Sequence, residues 1–209
     1  MEPDITTYDL ILLNSSAGKD SQAMIDYVVG LADAAGVPRT RLVVAHADLG
    51  RVEWKGTRAL AERQAQAYGL RFEAIARPQG DLLDQIEKRG MWPSSTTRYC
   101  TSDHKRDQIS KIIVKIHQEV PSFRRSRMTF RVLNCLGLRA QESPARAKKV
   151  EMERNNRLTT LKRTVDTWLP ILGWTEDQVW ASIRKSGVEH HPAYDLGMPR
   201  LSCIFCIFA

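Results

Sequence analysis

Short apolar runs alternate with amphipathic stripes along the first half of the chain. Leu10-Ile11-Leu12-Leu13 is a continuous apolar run, the pattern of a strand buried on both faces of a sheet. The apolar positions from Ala23 to Leu31 then recur at helical spacing. The alternation continues, so the pattern predicts three strands and two helices in this half. The predicted strands cover residues 8–14, 41–47 and 71–76, and the predicted helices cover residues 20–35 and 54–68.

Strands separated by helices in this way are joined by right-handed crossovers and lie parallel. The expected fold is therefore α/β, a Rossmann-like twisted parallel sheet with helices on both faces. Ligands of such sheets bind at the carboxyl ends of the strands. Two loops, 15–21 and 48–53, are expected to converge at that edge.

The second half has a less regular pattern. One stripe of isoleucines predicts a helix over residues 105–120, and apolar positions predict a strand over 129–138. Residues 168–172 are predicted to be extended, and Thr175 is predicted to cap a helix that runs to Ser186. Between them, residues 140–163 are basic and weakly periodic, so this segment is predicted to be partly flexible.

The chain has 209 residues, of which 43% are hydrophobic, enough for one domain with a real core over residues 1–209. No apolar run approaches the roughly 20 residues that span a bilayer, and the acidic N-terminus is not a signal peptide. A cytoplasmic protein with no membrane partner is expected. The segment 188–209 ends on Ile207-Phe208-Ala209, and an exposed apolar end predicts that the natural protein continues beyond it.

Positive charge is concentrated in one part of the chain. The formal net charge is +7, and residues 121–163 hold twelve Lys and Arg side chains against three acidic ones. Such a surplus suits nucleic acid, a polyphosphate or an acidic partner. A solvated loop fits it as well. On the first interpretation the side chains that contact the polyanion are Arg124, Arg125, Arg127, Lys148 and Lys149.

Ser16-Ala17-Gly18-Lys19-Asp20-Ser21 joins the first predicted strand to the first predicted helix. Small residues at a helix N-terminus leave backbone N–H groups free and place positive potential there, which favours an anion such as phosphate. A Walker A loop is excluded, because Leu13 stands where its first Gly is required and Asp20 follows the Lys. The dinucleotide fingerprint G-x-G-x-x-G is also absent. The other interpretation is an ordinary turn with an Asp or Ser cap.

Five segments in order resemble the phosphoadenosine-phosphosulfate (PAPS) reductase-like family of pyrophosphate-loop proteins, which have the adenine nucleotide alpha-hydrolase fold. The resemblance covers nearly the whole chain. The five segments are Ser16–Ser21, Arg98–Lys105, Gly137–Ser143, Leu169–Trp180, and His191–Gly197 with Cys203-Ile204-Phe205-Cys206. The family loop reads Ser-Gly-Gly-x-Asp-Ser, so Ala17 replaces its first Gly and puts in doubt a backbone angle that only Gly tolerates.

The resemblance implies a nucleotide site and a catalytic set. Lys19, Asp20 and Arg139 are the implied catalytic residues, with Arg139 gripping phosphate and Asp20 positioning Mg²⁺ or the loop. Asp48 meets a ribose hydroxyl or a metal, or else only caps a turn. The implied nucleotide-binding residues are Ser16, Ala17, Gly18, Lys19, Asp20, Ser21, Asp48, Gly137 and Arg139.

Other polar residues lie near these motifs. Glu142 and Ser143 are expected to brace Arg139. Arg146 is either a second phosphate ligand or surface charge, and surface charge is the favoured interpretation. Lys105 and Arg106 face the same anion, whereas His190 and His191 are expected to pack or cap.

The family contains two chemistries. Its ATP pyrophosphatases split ATP into AMP and pyrophosphate, and the chain most resembles the component of that class in DNA phosphorothioation systems. The resemblance then implies ATP, Mg²⁺, a nucleic acid such as DNA, and a sulfur donor such as a cysteine desulfurase. The alternatives are an adenylyl-sulfate or phosphoadenylyl-sulfate reductase and a non-catalytic nucleotide-binding subunit. The Glu-Cys-Gly-Leu-His tail of the reductases is absent from these residues.

The chain has four cysteines, which in a cytosolic protein favour metal, redox or core roles over disulfides. Cys135 lies in a predicted apolar strand and is expected in the core. The resemblance implies that Cys100, Cys203 and Cys206 bind an iron–sulfur cluster such as 4Fe–4S. Thr101 replaces the second cysteine of the family pair, so three thiolates remain for a cluster that takes four. A redox dithiol, a zinc site and buried thiols are the alternatives.

Overall fold

A computed structural model describes residues 2–120 and 129–206 of the chain. Three arginines expected to contact a polyanion, Arg124, Arg125 and Arg127, lie outside the described residues. Within them, the chain forms one six-stranded sheet flanked by helices. The strands are β1 (Leu10–Ser15), β2 (Leu42–Asp48), β3 (Arg71–Ala76), β4 (Phe130–Leu136), β5 (Met152–Arg154) and β6 (Arg163–Trp168).

Six helices of the described chain pack around this sheet or connect its strands. They are α1 (Lys19–Ala34), α2 (Thr57–Ala67), α3 (Leu82–Arg89), α4 (Asp107–Glu119), α5 (Pro144–Ala147) and α6 (Glu176–Ser186). A helical turn (Tyr99–Thr101) and a π-helical turn (Ser102–Arg106) precede α4. No helix in the described parts of the chain is long and apolar enough to cross a membrane.

The strand order is β3-β2-β1-β4-β6-β5, and every neighbouring pair is parallel except β5 and β6. β1 lies at the centre, where Leu12 pairs with Val43 on one side and Asn134 on the other. This position explains its continuous apolar run, because both of its faces are covered. The mostly parallel sheet confirms the α/β prediction.

Two apolar layers cover the faces of the sheet. On one face Ile11 and Leu13 pack with Met24 and Val28 of α1. On the other face the isoleucine stripe of α4 packs against the strands. That second layer comprises Leu10, Leu12, Val43, Ile109, Ile112, Ile113, Ile116, Phe130, Val132 and Val165, among others. Helices therefore lie on both faces, as the alternation predicted.

The last two strands differ from the sequence prediction. β6 ends at Trp168, where the extended segment was expected to begin, and β5 lies inside the segment predicted to be flexible. β6 is polar in sequence, but its polar groups have partners in the fold. Asp166 accepts hydrogen bonds from the Tyr8 hydroxyl (3.0 Å) and from Arg154 Nε across the β5–β6 ladder (2.5 Å). Because these partners are distant in sequence, no local pattern of residues predicts the strand.

The carboxyl ends of β1, β2 and β4 lie side by side at one edge of the sheet. The residues that follow these strands are Ser16, Leu49 and Gly137. The predicted site segments therefore meet at this edge. α1 begins directly from β1, with Gly18 in the N-cap position.

Candidate functional site

Residues 15–21, here called the candidate phosphate loop, are held by their own hydroxyl groups. The Ser21 hydroxyl accepts the Ser16 N–H (3.2 Å) and donates to the Gly18 carbonyl (2.9 Å). The Ser15 hydroxyl accepts the Ala17 N–H (3.1 Å). Ser21 was expected to assist a phosphate, and in the structure its contacts are with the loop.

Ala17 adopts a left-handed backbone conformation, with φ of +56°. It is the residue that replaces the family glycine, so the loop keeps the turn that glycine would make most easily. A non-glycine residue there costs roughly 1–2 kcal/mol. The Ala17 side chain is fully buried and packs against Leu60, Ala61 and Leu201, which recovers part of this cost.

Gly137 brings the end of β4 into direct contact with the start of α1. A Cβ atom on Gly137 would lie 2.6 Å from the Asp20 carbonyl oxygen and 2.8 Å from the Ser21 Cα. Only a residue without a side chain permits this approach. Gly137 therefore sets the spacing between the loop and the segment that carries Arg139.

Arg139 is buried and binds Asp20 directly. Its Nε lies 2.5 Å from Asp20 Oδ1, and its Nη1 donates to Gln141 Oε1 at 2.8 Å. The Arg139 N–H donates to Glu142 Oε2 at 3.0 Å, so Glu142 braces Arg139 through the backbone. The structure thus brings together two of the three implied catalytic residues, although they are 119 positions apart.

Lys19, the third implied catalytic residue, is buried and turned toward the C-terminal segment. Its Nζ binds the Pro199 carbonyl oxygen and lies 3.4 Å from Glu176 Oε1. Glu176 Oε2 is also 3.9 Å from Arg139 Nη2, so one carboxylate of α6 faces both cations. The sequence analysis gave Glu176 no part in the site.

Tyr194 closes over the candidate phosphate loop. Its hydroxyl accepts the Lys19 backbone N–H at 2.8 Å, and its ring lies 5.2 Å from Lys19 Nζ. Burial raises the pKa of Tyr194 to about 12, so the hydroxyl is neutral at pH 7. A bound phosphate would compete for this N–H. Tyr194 belongs to the His191–Gly197 motif, but nothing in its spacing indicated a contact with the loop.

Asp48 has the turn-capping contacts that were one of its two interpretations. Its Oδ1 accepts the Gly50 N–H at 2.8 Å, and its Oδ2 lies 3.4 Å from Arg58. The neighbouring His46 is buried and joins the Ser15 carbonyl (3.0 Å) to Glu53 Oε2 (3.3 Å). A buried histidine bonded to the loop backbone is a feature that the sequence analysis missed.

The two adjacent histidines near the C-terminus behave as the sequence predicted. His191 is buried, with Nδ1 accepting the Ala193 N–H at 3.1 Å and Nε2 at 3.2 Å from the Thr57 hydroxyl. His190 packs against Trp180 and pairs with Asp195. Both therefore fix the segment that carries Tyr194.

Three cysteines lie near one another, two of them at a small apolar cluster. Cys100 and Cys203 pack against Leu49, Val52 and Tyr99, among others. Burial, and after it the neighbouring Cys206, raise the pKa of Cys203 to about 11. No group of three Cys, His, Asp or Glu side chains in the described chain is placed to hold a metal ion. The thiols supply suitable donors, but this structure does not set them at ligand spacing.

Three further residues from the sequence analysis lie either in the core or near the site. Cys135 is fully buried in β4, as expected, and burial raises the pKa of its thiol. Lys105 is exposed, and its charge lowers the pKa of Cys203, so it lies on the thiol side of the site. The favoured prediction for Arg146 was an exposed surface charge. In the structure Arg146 is half-buried, and the charges of Asp20 and Arg139 are among those that shift its pKa.

Comparison with known proteins identifies the family. The phosphoadenosine phosphosulfate reductase domain matches residues 10–209. The chain therefore belongs to this family, and its fold is adenine nucleotide alpha-hydrolase-like.

The curated relatives differ in sequence identity and in how much of each chain the alignment covers. A 37.8 kDa protein of uncharacterised function from Escherichia phage 186 is 33% identical over 71% of this chain, which spans only 40% of that relative. An adenosine 5′-phosphosulfate reductase from Staphylococcus haemolyticus is 26% identical over 95% of this chain and 70% of its own. The alignment thus covers less than half of the phage relative's length.

Solved structures share the fold at low identity. The phosphoadenylyl-sulfate reductase of Candida auris superposes with a TM-score of 0.61 at 16% identity, covering 96% of this chain and 84% of its own. The U34-tRNA thiolase NcsA of Methanococcus maripaludis, solved with its [4Fe-4S] cluster, gives 0.59 at 12% identity, covering 98% and 63%. At these identities the likeness concerns the fold.

Proposed function

We propose that this protein is an ATP pyrophosphatase that activates a substrate for sulfur incorporation, with DNA phosphorothioation as the role. The observation that carries the proposal is the contact between Asp20 at the start of α1 and Arg139 after β4. It joins a helix N-terminus, a loop of small residues and a buried guanidinium at the ligand-binding edge of a parallel sheet. Each of these favours phosphate.

The proposed reaction replaces the pyrophosphate on the α-phosphorus of ATP with an oxygen of the acceptor. An oxygen of the acceptor attacks this phosphorus, the bond to the oxygen that bridges the α- and β-phosphates breaks, and pyrophosphate leaves. A cysteine desulfurase presents its sulfur as a cysteine persulfide, whose terminal sulfur attacks the activated acceptor while AMP leaves with the oxygen. A second thiol of the donor protein then attacks the inner sulfur, so that a disulfide forms on the donor and the terminal sulfur stays on the acceptor. This second thiol is the reductant of the step.

The loop and its neighbours have distinct parts in this proposal. Backbone N–H groups at the start of α1 hold the departing pyrophosphate, because the first N–H groups of a helix have no partner within it. Arg139 and Lys19 neutralise the charge that develops there. For the phosphate to bind, Lys19 Nζ exchanges its contacts with Pro199 and Glu176 for the ligand.

Mg²⁺ fits the same corner of the site. The ion is usually bound through one or two carboxylates together with substrate phosphates. Asp20 offers Oδ2 while Oδ1 stays on Arg139. Asp48 ends β2, the strand next to β1, and would have to exchange its contacts with Gly50 and Arg58 to bind the ion. When bound, Mg²⁺ would neutralise phosphate charge.

An iron–sulfur cluster on Cys100, Cys203 and Cys206 is a separate part of the proposal. The thiols lie in one corner but not at ligand spacing in this structure. No step of the proposed reaction depends on the cluster.

The second candidate function is reduction of an adenylyl sulfate. The relatives named adenosine 5′-phosphosulfate reductase favour it, since one of them aligns with 95% of the chain. Such a reaction needs a thiolate nucleophile. The family's reductases carry this nucleophile in a Glu-Cys-Gly-Leu-His segment, which residues 1–209 do not contain.

Product analysis tests the proposal. Protein incubated with ATP, Mg²⁺ and duplex DNA is expected to release AMP and pyrophosphate, and a chelator should stop the reaction. Asp20→Ala and Lys19→Ala should each lower turnover by about tenfold or more, because each removes a charge from the transition state. Asp177→Ala, which removes an exposed acid from the first turn of α6, is the matched control and should retain full turnover.

Other products would assign another function. ADP and inorganic phosphate as the main products contradict cleavage at the α-phosphorus. Sulfite released from adenosine 5′-phosphosulfate in the presence of a thiol would identify the reductase. Nucleotide binding without any product would identify a non-catalytic subunit.

A further inference from the structure

Two aromatic side chains from distant segments meet on an exposed surface. Trp92 follows α3 and Phe205 lies in the C-terminal segment, yet their ring centroids are 5.6 Å apart in an edge-to-face arrangement. The Trp92 side chain is 49% exposed and that of Phe205 is 52% exposed. Their sequence neighbours Met91 and Ile204 are exposed to a similar extent. An exposed apolar patch of this kind indicates an interaction site.

Hydrogen bonds fix both segments that carry the rings. The Tyr99 hydroxyl donates to the Met91 carbonyl oxygen at 2.5 Å, and Tyr99 is itself buried in an apolar cluster. On the other side, the Ile204 N–H donates to the Val52 carbonyl oxygen at 2.8 Å. Rings that are already held in place lose little conformational entropy when a ligand binds.

The chain on either side of Trp92 is basic. Of the two acids in residues 87–106, Asp103 is engaged within the fold, because it accepts hydrogen bonds from Gln85 Nε2 (2.8 Å) and from the Ser102 hydroxyl (2.5 Å). The other acid is Glu87. Against these two acids the same residues contain five cations, Lys88, Arg89, Arg98, Lys105 and Arg106.

Two of these cations lie close to the aromatic pair. The Arg89 guanidinium is 4.5 Å from the centroid of the Tyr99 ring. Burial and Cys206 raise the pKa of Cys203, whereas the charge of Lys105 lowers it, so Lys105 lies near the segment that carries Phe205. Positive charge therefore borders the rings on the side of α3 and on the side of the thiols.

The basic surface continues into a cavity beside α3. This cavity has a volume of about 330 Å³, and Lys88 and Arg89 line it together with Arg77, which follows β3. Lys88 is exposed and forms no ion pair within the part of the chain that the structure describes. Asp84, the acid that lines the cavity, is paired with Arg51. The cavity has the room and the charge to hold a phosphate group.

Exposed aromatic rings beside cations are the combination that binds single-stranded nucleic acid. Bases stack on the rings while Lys and Arg side chains follow the phosphates. A base pair inside a duplex is stacked on both faces and offers no face to a protein ring. A purely apolar partner would use the rings but would gain nothing from the cations around them.

We propose that Trp92 and Phe205, with Lys88, Arg89 and Lys105 around them, bind an unpaired stretch of nucleic acid. The inference deepens the proposed function, on which it rests only for the nature of the acceptor. It adds that the acceptor strand is held with its bases unstacked, on the side of the molecule where Cys100 and Cys203 lie.

A labelled thymidine oligonucleotide tests the surface. Its binding to the whole chain is followed by fluorescence anisotropy without ATP, and the duplex with its complement is measured in parallel. Trp92→Leu keeps an apolar side chain but removes the flat ring. It should weaken the single strand by about fivefold or more, the effect of losing one stacked base, and change duplex binding by less than about twofold.

A conservative variant separates stacking from a merely structural role. Trp92→Phe retains a ring and should recover most of the affinity that Trp92→Leu loses. Tryptophan fluorescence of the parent chain should be quenched when the single strand binds. In Trp92→Phe this quenching should decrease although the strand still binds, because the stacked indole is gone. Each variant should unfold within a few degrees of the parent chain.

The salt dependence of binding tests the cations. Lys88→Gln should make the slope of log K against log salt shallower by about 0.7, the contribution of one phosphate contact on a single strand. Lys185→Gln is the matched control, since both lysines are exposed in the last turn of a helix, α3 for Lys88 and α6 for Lys185. The control should leave the slope unchanged.

Three results would overturn the inference. They are a parent chain that does not bind the single strand, a Trp92→Leu variant that binds it as tightly as the parent, and an equal loss for the single strand and the duplex. ATP cleavage is measured separately through AMP and pyrophosphate. Strand binding that depends on Trp92 in a chain that does not cleave ATP would reject the proposed function alone, and cleavage without such binding would reject this inference alone.

Discussion

At the scale of single residues, Gly137 fixes the distance between the two halves of the candidate site. An added Cβ would meet main-chain atoms of Asp20 and Ser21 at 2.6–2.8 Å, and main chain cannot rotate away as a side chain does. Gly137→Ala must therefore push α1 from β4 and separate Asp20 from Arg139. We expect a loss of about 1–3 kcal/mol in unfolding free energy and a loss of ATP turnover of at least about tenfold.

The matched control for this change is Gly173→Ala. A Cβ on Gly173 meets no atom within 4 Å, and Gly173 has no positive φ. Thermal unfolding and turnover of this variant should stay close to those of the parent chain. Equal behaviour of the two variants would show that the close approach at Gly137 has no consequence.

Site residues that belong to short motifs could be predicted from the sequence, whereas contacts with distant partners could not. The loop residues and Arg139 could be picked out from short motifs, and the structure brings Asp20 and Arg139 together. The contacts of Lys19 with Pro199 and Tyr194 join positions about 180 residues apart. A local sequence pattern carries no information about contacts between residues so far apart. Tyr194 and Pro199, which cover the loop, could therefore not be predicted.

At the scale of elements, α1 carries one avoidable weakness. Gly30 lies in the interior of this helix, is exposed, and leaves open space where a Cβ would be. Alanine in place of an exposed helical glycine gains about 0.5–1 kcal/mol, because glycine loses more conformational entropy on folding. Gly30→Ala should raise the midpoint of thermal unfolding by about 2 °C.

Gly36 gives the opposite result at the end of the same helix. It also has open space around it, but its φ is +66°. An alanine there enters the left-handed region at a cost of roughly 1 kcal/mol. Gly36→Ala should therefore lower the unfolding midpoint, and a rise in both variants would contradict the assigned backbone conformations.

The elements were predicted as well as their local patterns allowed. β1, β2 and β3 lie within two residues of their predicted bounds. β1 and β2 are buried strands with apolar runs, whereas β3 lies at the sheet edge and its residues are half-buried or exposed. The N-cap of α6 was also found, and Thr175 forms a capping box with Gln178. β5 and β6 were missed because charged and polar residues in them are satisfied by distant partners such as Tyr8.

At the scale of the whole molecule, the fold places its candidate functional residues at one edge of the sheet. The carboxyl ends of β1, β2 and β4 hold the candidate phosphate loop, and the C-terminal segment returns over it through Tyr194 and Pro199. The same segment brings Arg200 to 4.0 Å from Glu142 and places Cys203 beside Cys100 at one apolar cluster. Changes in residues 191–206 are therefore expected to act on nucleotide binding and on the thiols together.

The thiols give the last prediction. Cys100 and Cys203 come from segments about 100 residues apart and share one apolar cluster, with Cys206 acting on Cys203. If a cluster binds there, protein purified without oxygen is brown and contains iron and sulfide in comparable amounts. Cys203→Ala should remove the colour and the iron, because thiolates ligate the irons directly. Cys135→Ala is the matched control, since Cys135 is buried within β4. Colourless protein without iron, or iron that survives Cys203→Ala, would contradict cluster binding, while ATP cleavage should persist in either case because the candidate phosphate loop contains no thiol.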